Sequence, residues 1–522
     1  MSGRAPTYRS FPSFLNAHND AKSPREASAG GAKSAVTTSA VTRFVVLAIA
    51  ALCLTGCPTA GGTAGARSPT ANKWYERART DFEHADVADA RDSIKKALAL
   101  EPKDPDVRKL AARIALAELD YAEALRLLKG LKGSDVSGLR GRALWYNGDL
   151  EAAADELDVM LNDPDIVDPW AKGVSKLARQ GVGLAPFSMG GALLAAVDIA
   201  HIDPMWPAYV VPVEIAGESV LALISTGTAE VVLDSATRPE PSWVSLRFGG
   251  KLEVHDVPAL TEDLSGLSKQ LGGTPIKALL GVNLLRHLHA TLDYGGHQFV
   301  VRSFSPPPPP DATRVDLFYV RGGGMILRGK FGGEHGEPAS LLLNTASQFP
   351  LELDEGGWKK AGVAVKDLKP FPQDPEQKLK EGLVPLLRLG AFDMTKVPGV
   401  FGTPVDQIEK QIGIDIDGIV GPALLAPFRV TFADQGRMMW LEDTNPALER
   451  FLAASAARMG SGEEPPPDQG PGIPDPLSPF GPSPGPGRAP GGQSPLELQN
   501  LPPGGGNPAP GGAKPPKNAP ER

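Results

Sequence analysis

The chain has 522 residues, long enough for several domains that each bury a core. Its 53 Lys and Arg against 61 Asp and Glu leave a net charge of −8, which excludes the basic footprint that a nucleic-acid partner requires. Hydrophobic residues make up 41% and charged residues 22%, as in ordinary soluble protein, whereas 52 Pro and 59 Gly exceed the usual share and are confined to particular stretches.

The first forty residues are polar, rich in Ser and Ala, and scattered with Arg4, Arg9, Lys22, Arg25 and Lys33, so they hold nothing that packs a core. After Arg43 comes Phe44 to Leu54, an apolar run too short to span a bilayer, which reads as the apolar region of a signal peptide. It ends in Leu54-Thr55-Gly56-Cys57, which resembles a bacterial lipobox. The resemblance implies a leader over 1–57 and lipid attachment at Cys57; the competing reading is an ordinary thiol beside an uncleaved anchor. Because the stretch before Arg43 is long for such a leader, the sequence also suggests initiation nearer Val41. Cys53 would leave with the leader, so the mature chain is expected to form no disulfide. Residues 58–70, rich in Gly, Ala and Thr, read as a flexible tether. Pro58 stands where an aspartate would signal inner-membrane retention, which points to the outer membrane, facing the periplasm.

From 71 to 180 the pattern is helical. Trp74, Ala78, Ala90, Ile94, Ala97 and Pro102 are followed 34 residues later by Ala112, Ala124 and Leu128 in the places of Ala78, Ala90 and Ile94, and Asp149 to Ala153 opens a shortened third unit. The pattern resembles the tetratricopeptide repeat, an α-solenoid of helical hairpins, and implies either a groove for a peptide or protein partner or a spacer. Gly181 to Trp206 is an apolar bridge expected to give a strand to the first β lobe. Alternating residues from Tyr209 to Ile215, a turn at Ala216-Gly217 and further apolar strands predict an all-β region in two lobes, 181–304 and 315–445. The lobes are joined by a Pro-rich linker, 305–314, read as stiff polyproline II that sets their separation. Residues 460–522 are Pro- and Gly-rich with few large apolar residues and are expected to be a disordered tail.

Within the β region one element occurs twice: Leu221 to Leu233, LALISTGTAEVVL, and Leu341 to Leu353, LLLNTASQFPLEL. Each is an apolar run, a small polar turn and a second apolar run. Further matches keep register to within one residue: Leu246 to Gly249 with Leu387 to Gly390 at 141, then Val257-Pro258 with Val397-Pro398, Ala278 to Gly281 with Gly418 to Gly421, and Gly296 with Gly436 at 140. The turns are closer together than these pairs, which places about 21 extra residues in the second lobe, expected on the surface around Trp358 to Lys380. The pattern resembles the active-site loops of aspartic peptidases, in particular the retropepsin-like type, where the turn carries an aspartate. The resemblance implies a two-lobed, pepsin-like β-domain, and it puts Ser225 and Asn344 in the two aspartate positions.

That substitution decides the chemistry. The family's two carboxylates share one proton, so that one activates water and the other polarises the substrate carbonyl. A hydroxyl and a carboxamide only hydrogen-bond, and the general acid-base contribution, roughly 10²–10⁴-fold per group, is forfeited. The family implies that Thr226 and Thr345 cross-bond the opposite loops, with Gly227 retained and Ala346 in the place of the second glycine. Ser225 as a nucleophile would need a histidine base, and His255, His287, His289, His297 and His335 show no spacing that ties one to the turn. Glu230 lies close to the first turn and reads as a solvated rim residue. No metal-ligand spacing occurs and no cofactor is expected. The reading is an exported lipoprotein with a catalytically inactive, peptidase-like domain that binds peptide or protein. The alternatives are an active aspartic endopeptidase with its acids elsewhere, and an envelope scaffold acting through the repeats.

Overall fold

A computed structural model of the chain describes residues 67–443, apart from 201, 203–205 and 375. The leader, Cys57 and the tail at 460–522 lie outside the described residues. Seven helices come first: α1 Pro69–Glu83, α2 Val87–Leu100, α3 Pro105–Ala117, α4 Tyr121–Leu128, α5 Ser134–Asn147, α6 Leu150–Leu161 and α7 Pro169–Gln180. Side chains of Ser68, Asp86, Asp104, Asp120 and Asp168 cap five of them by accepting backbone N–H bonds, each cap contributing about 1 kcal/mol. Ala78, Ala90, Ala97, Ala112 and Ala124 are buried, so consecutive helices approach closely. The stretch 58–70, expected to be a tether, is part of the helical region from residue 67 on. Ser68 already caps α1, and Arg67 bonds Asp104 and Asp106, each at 2.7 Å.

The first lobe is built from β1 Ser188–Gly191, β2 Leu194–Asp198, β3 Val210–Ile215, β4 Glu218–Ile224, β5 Val231–Asp234, β6 Ser242–Phe248, β7 Leu252–Glu262, α8 Ser265–Gln270, β8 Ile276–Leu280, α9 Val282–His287, β9 Thr291–Asp293 and β10 Gln298–Arg302. The second has β11 Thr313–Tyr319, β12 Met325–Phe331, β13 Glu337–Leu343, β14 Leu351–Leu353, α10 Glu355–Lys360, β15 Lys369–Pro370, β16 Lys380–Leu389, β17 Phe392–Phe401, α11 Val405–Ile412, β18 Gly418–Val420, α12 Pro422–Leu425, β19 Phe428–Ala433 and β20 Met438–Asp443.

The lobes share one topology. In the first, strands run β6-β7-β5-β8-β4-β3 and β3 pairs back with β6; in the second, β16-β17-β14-β18-β13-β12, with β12 back to β16. In both, the strand before the turn pairs in parallel with the later apolar strand, β4 with β8 and β13 with β18. Closing each sheet on itself removes exposed edges. A further run, β11-β20-β19-β9-β10-β2, crosses between the lobes, and at its centre Thr291 faces Thr431, the two hydroxyls 2.9 Å apart. These residues are 140 apart, the spacing of the sequence matches, so a local two-fold axis passes here.

Three expectations change. The bridge gives the first lobe β1, paired with β7, but its second strand, β2, joins the central sheet beside β10. Lobe separation is set by the β9–β19 pairing and not by the proline run, because hydrogen-bonded strands fix distance more tightly than a linker does. The extra residues of the second lobe are not all superficial. Trp358 is 0% exposed, wedged against Gly382 and Gly399, whose missing Cβ atoms make its room.

The helices do not stand apart as a separate domain; they and both lobes form one compact unit. Helices α1–α4 share a hydrophobic core with Val320, Ile326, Leu342, Val405 and Ile412 of the second lobe. Helices α5–α7 pack on Trp243 and Leu260 of the first. Arg328 to Asp86 at 3.0 Å and Trp243 Nε1 to the Leu177 carbonyl at 2.9 Å pin the two contacts.

Candidate functional site

The two turns meet. Each is held from behind by the later apolar strand: Ser225 N–H donates to the Leu280 carbonyl at 3.0 Å, and Asn344 N–H to the Val420 carbonyl at 2.9 Å. Behind them Gly281 and Gly421 pass so close that an added Cβ would lie 2.1 Å from the Glu230 carbonyl oxygen and 1.9 Å from that of Phe349. Only glycine fits there. The apolar-apolar-Gly pattern is thus a requirement of threading one strand behind a turn.

Across the two-fold, Thr226 and Thr345 are both 0% exposed. The Thr226 hydroxyl donates to the Leu343 carbonyl (2.9 Å) and accepts from Thr345 N–H (3.0 Å). The Thr345 hydroxyl donates to the Ile224 carbonyl (2.6 Å) and accepts from Thr226 N–H (3.0 Å). Each hydroxyl uses its single proton and a lone pair, so four buried backbone groups are satisfied by two side chains.

Ser225 is 1% exposed and Asn344 partly so. The Asn344 side-chain oxygen accepts from Ala346 N–H at 3.0 Å, which folds the amide back over its own turn. Gly227 leaves it space, since a Cβ there would come within 3.0 Å of that oxygen. Neither Ser225 nor Asn344 carries a group that gives or takes a proton near neutral pH. Among the histidines, His287 stacks flat on Phe187 with centroids 4.2 Å apart and is bonded through Nδ1 to the Asn283 carbonyl at 2.6 Å. Burial, helped by the Arg286 charge, pushes its pKa down to about 4, so it is neutral at physiological pH, and no hydrogen bond joins it to Ser225 among the described residues. His255 lies beside Ser245 and Glu253. Among the described residues no group of three His, Cys, Asp or Glu is placed to hold a metal.

Glu230 is not a solvated rim residue. It is 2% exposed, and its carboxylate accepts from Trp145 Nε1 of α5 at 3.0 Å and from Asn283 Nδ2 of α9 at 3.2 Å. Burial pushes its pKa up, against the pull of these donors and of Arg286. Arg286 in turn donates to Asn283 at 2.8 Å and to the Tyr121 hydroxyl of α4. A polar chain therefore runs from just behind the first turn into the helices. The signal that could have found it is a lone acid followed by Val231, Val232 and Leu233: in a buried run, a carboxylate has to have donors.

No family model matches the chain, and no curated protein matches it. Among solved structures, it is similar to a retropepsin-like aspartic protease from Rickettsia conorii, at 14% identity and a TM-score of 0.19 over 25% of this chain and 90% of the other. It is also similar to Basic 7S globulin from soybean, at 9% identity and a TM-score of 0.33 over 50% of this chain and 96% of the other. At TM-scores this low, neither likeness places a residue or assigns an activity.

Proposed function

We propose that the chain is an exported, lipid-anchored protein whose two-lobed β-domain keeps the shape of an aspartic peptidase without its reaction and holds an extended peptide or protein partner. The observation that supports this reading is the pairing of a complete threonine lock with a hydroxyl, Ser225, and an amide, Asn344, at the tips it joins. Hydrolysis by this route needs a base to take a proton from water and an acid to polarise the carbonyl, and neither side chain serves as either. What such a pair retains is hydrogen bonding, which suits binding a strand through its main chain. Attachment through Cys57 to the bacterial cell envelope, with the outer membrane facing the periplasm as the site, belongs to the same proposal.

The test is incubation of the purified protein with an unfolded protein at pH 3–7, with and without a pepstatin-like inhibitor. The expected result is no inhibitor-sensitive cleavage, together with capture of the unfolded protein. Cleavage that the inhibitor abolishes would overturn the proposal and favour an active endopeptidase. Putting the acids back, Ser225→Asp with Asn344→Asp, is expected to lower stability at neutral pH, because two carboxylates forced together repel unless they share a proton.

A further inference from the structure

Between the helices and the β-domain, reaching Ala229 at the back of the first turn, lies a cavity of about 800 Å³ bounded by α1, α3 and α5, the start of α9 and the β11–β12 connection. Its size is that of small-molecule sites. Phe82, Leu110, Tyr146 and Tyr319 give it apolar walls, and neither Ser225 nor Asn344 reaches it. We propose that this cavity binds an organic anion, an oxyanion group such as a carboxylate or phosphate on an apolar body, with Arg113 of α3 receiving the charge.

Positive charge is left over in this space. Seven cationic and five acidic side chains line it. Most of the acids are already committed: Asp168 to Arg142 and Arg321, each at 2.9 Å, Asp106 and Asp135 to Lys109, and Glu83 to Arg79 at 3.3 Å. Arg286 lies within the field of the buried Glu230. Arg113 has no ion pair among the described residues; its guanidinium sits 5.2 Å from the centroid of the Phe82 ring. The acid whose charge reaches it is Glu83, which is bonded to Arg79, and Arg321 adds repulsion. Arg113 is exposed on the wall of this concave space, so a ligand entering it can reach the guanidinium. A guanidinium offers five donors in a planar fork that matches two oxygens of one anion. Apolar walls weaken screening, so an anion placed there is held more strongly than at an open surface. The same walls cover the apolar part of the ligand. The inference is independent of whether the two turns hold a peptide.

The test uses the full chain and 8-anilinonaphthalene-1-sulfonate, an aromatic anion whose fluorescence rises on burial. Wild type is expected to bind it saturably and one to one. Arg113→Met is expected to weaken binding at least tenfold, and Arg113→Lys, which keeps the charge, by less, with thermal melting of each variant recorded. Unaltered affinity in a folded Arg113→Met protein overturns the proposal, as does absence of saturable binding in wild type. Competition on the wild type does not depend on any variant folding. Decanoate and the tripeptide acetyl-Ala-Leu-Phe with a free carboxylate are each compared with the corresponding amide. Displacement by decanoate alone identifies a small organic acid, and displacement by the acid tripeptide identifies a peptide terminus. Displacement by the amides as strongly as by the acids, or by neither acid, overturns the assignment of the charge.

Discussion

The two turns have one backbone and two surroundings. Ser225 and Asn344 stand 119 residues apart, as do the locking threonines, and each turn hangs from the equivalent carbonyl of its own lobe's later strand. Five residues beyond Ser225 the first lobe has Glu230, bonded to Trp145 and Asn283. At the same place the second lobe has Phe349, packed edge-on against Phe371 of its own extra residues with centroids 5.6 Å apart. One lobe turns outward to the helices through a buried carboxylate, and the other closes on itself with aromatic rings. The symmetric part is thus what the local backbone demands, while the asymmetric part is what each lobe was given to lean on. A carboxylate without its donors is costly in such a place, whereas a phenyl ring needs nothing from the helices.

The most damaging test of the symmetric half is removal of the lock. Thr226→Val or Thr345→Val keeps the shape and deletes a hydroxyl, which strands a buried N–H and a buried carbonyl on the facing turn. Each single change is expected to cost about 2–4 kcal/mol, at about 1–3 kcal/mol per unsatisfied buried group with partial relaxation. Equal losses from the two sites in urea unfolding would uphold the two-fold equivalence. The double variant is expected to lose less than the sum, because both hydroxyls belong to one network. A loss below about 0.5 kcal/mol at either site would mean that the cross-bonds do not hold the turns together.

The asymmetric half predicts unequal outcomes. Glu230→Leu leaves Trp145 Nε1 and Asn283 without their acceptor and is expected to cost about 1–3 kcal/mol, part of it offset by removing a buried acid. It should also loosen α5 from the first lobe. Because the Trp145 and Trp243 rings lie 6.1 Å apart across that contact, tryptophan fluorescence is expected to change along with stability. Phe349→Leu, a smaller loss of packing at about 1 kcal/mol, is expected to leave the fluorescence unchanged. Identical fluorescence changes from both would erase the distinction between the lobes.

How much of this was legible in the sequence depends on how far apart the partners lie. The repeated turn, the threading glycines and the helix caps are short patterns, each answering a local backbone demand, and all of them can be read along the chain. The burial of Glu230 shows in the apolar run that follows it, but its donor cannot be read, because Trp145 lies 85 residues earlier, in an element with no pattern of its own for meeting a carboxylate. The 34-residue spacing of small residues pointed to helices and their alanine contacts. It did not give the use of their faces, since Val320, Ile326 and Ile412, which complete the core of α1–α4, look in sequence like ordinary lobe residues. Trp358 was misplaced for a similar reason: a stretch identified as extra looks superficial until Gly382 and Gly399, from another hairpin, are seen to open a slot for it.

The smallest effect separates the lobes by pH. At the end of β7, beside Asp234 in the β5–β7 pairing, Glu262 is pushed by burial from its ordinary 4.5 up to about 7, and 140 residues later the second lobe has Gly402, which has nothing to titrate. An acid whose folded pKa lies above its unfolded one binds its proton more tightly in the fold. Its contribution is therefore complete below about pH 4.5 and is lost as the pH rises toward 7. Glu262→Gln is expected to leave stability at pH 4 nearly unchanged and to raise it by about 1–2 kcal/mol at pH 8, allowing for partial screening of a part-exposed group. Other buried acids, among them Glu230 and Glu352, also have raised pKa values, so the quantity that isolates Glu262 is the difference between wild-type and variant urea midpoints across that range. A difference that stays flat from pH 4 to 8 would show that Glu262 titrates as if in water. The end of β7 would then be as indifferent to pH as its glycine counterpart, and the asymmetry between the lobes would reduce to what stands behind each turn.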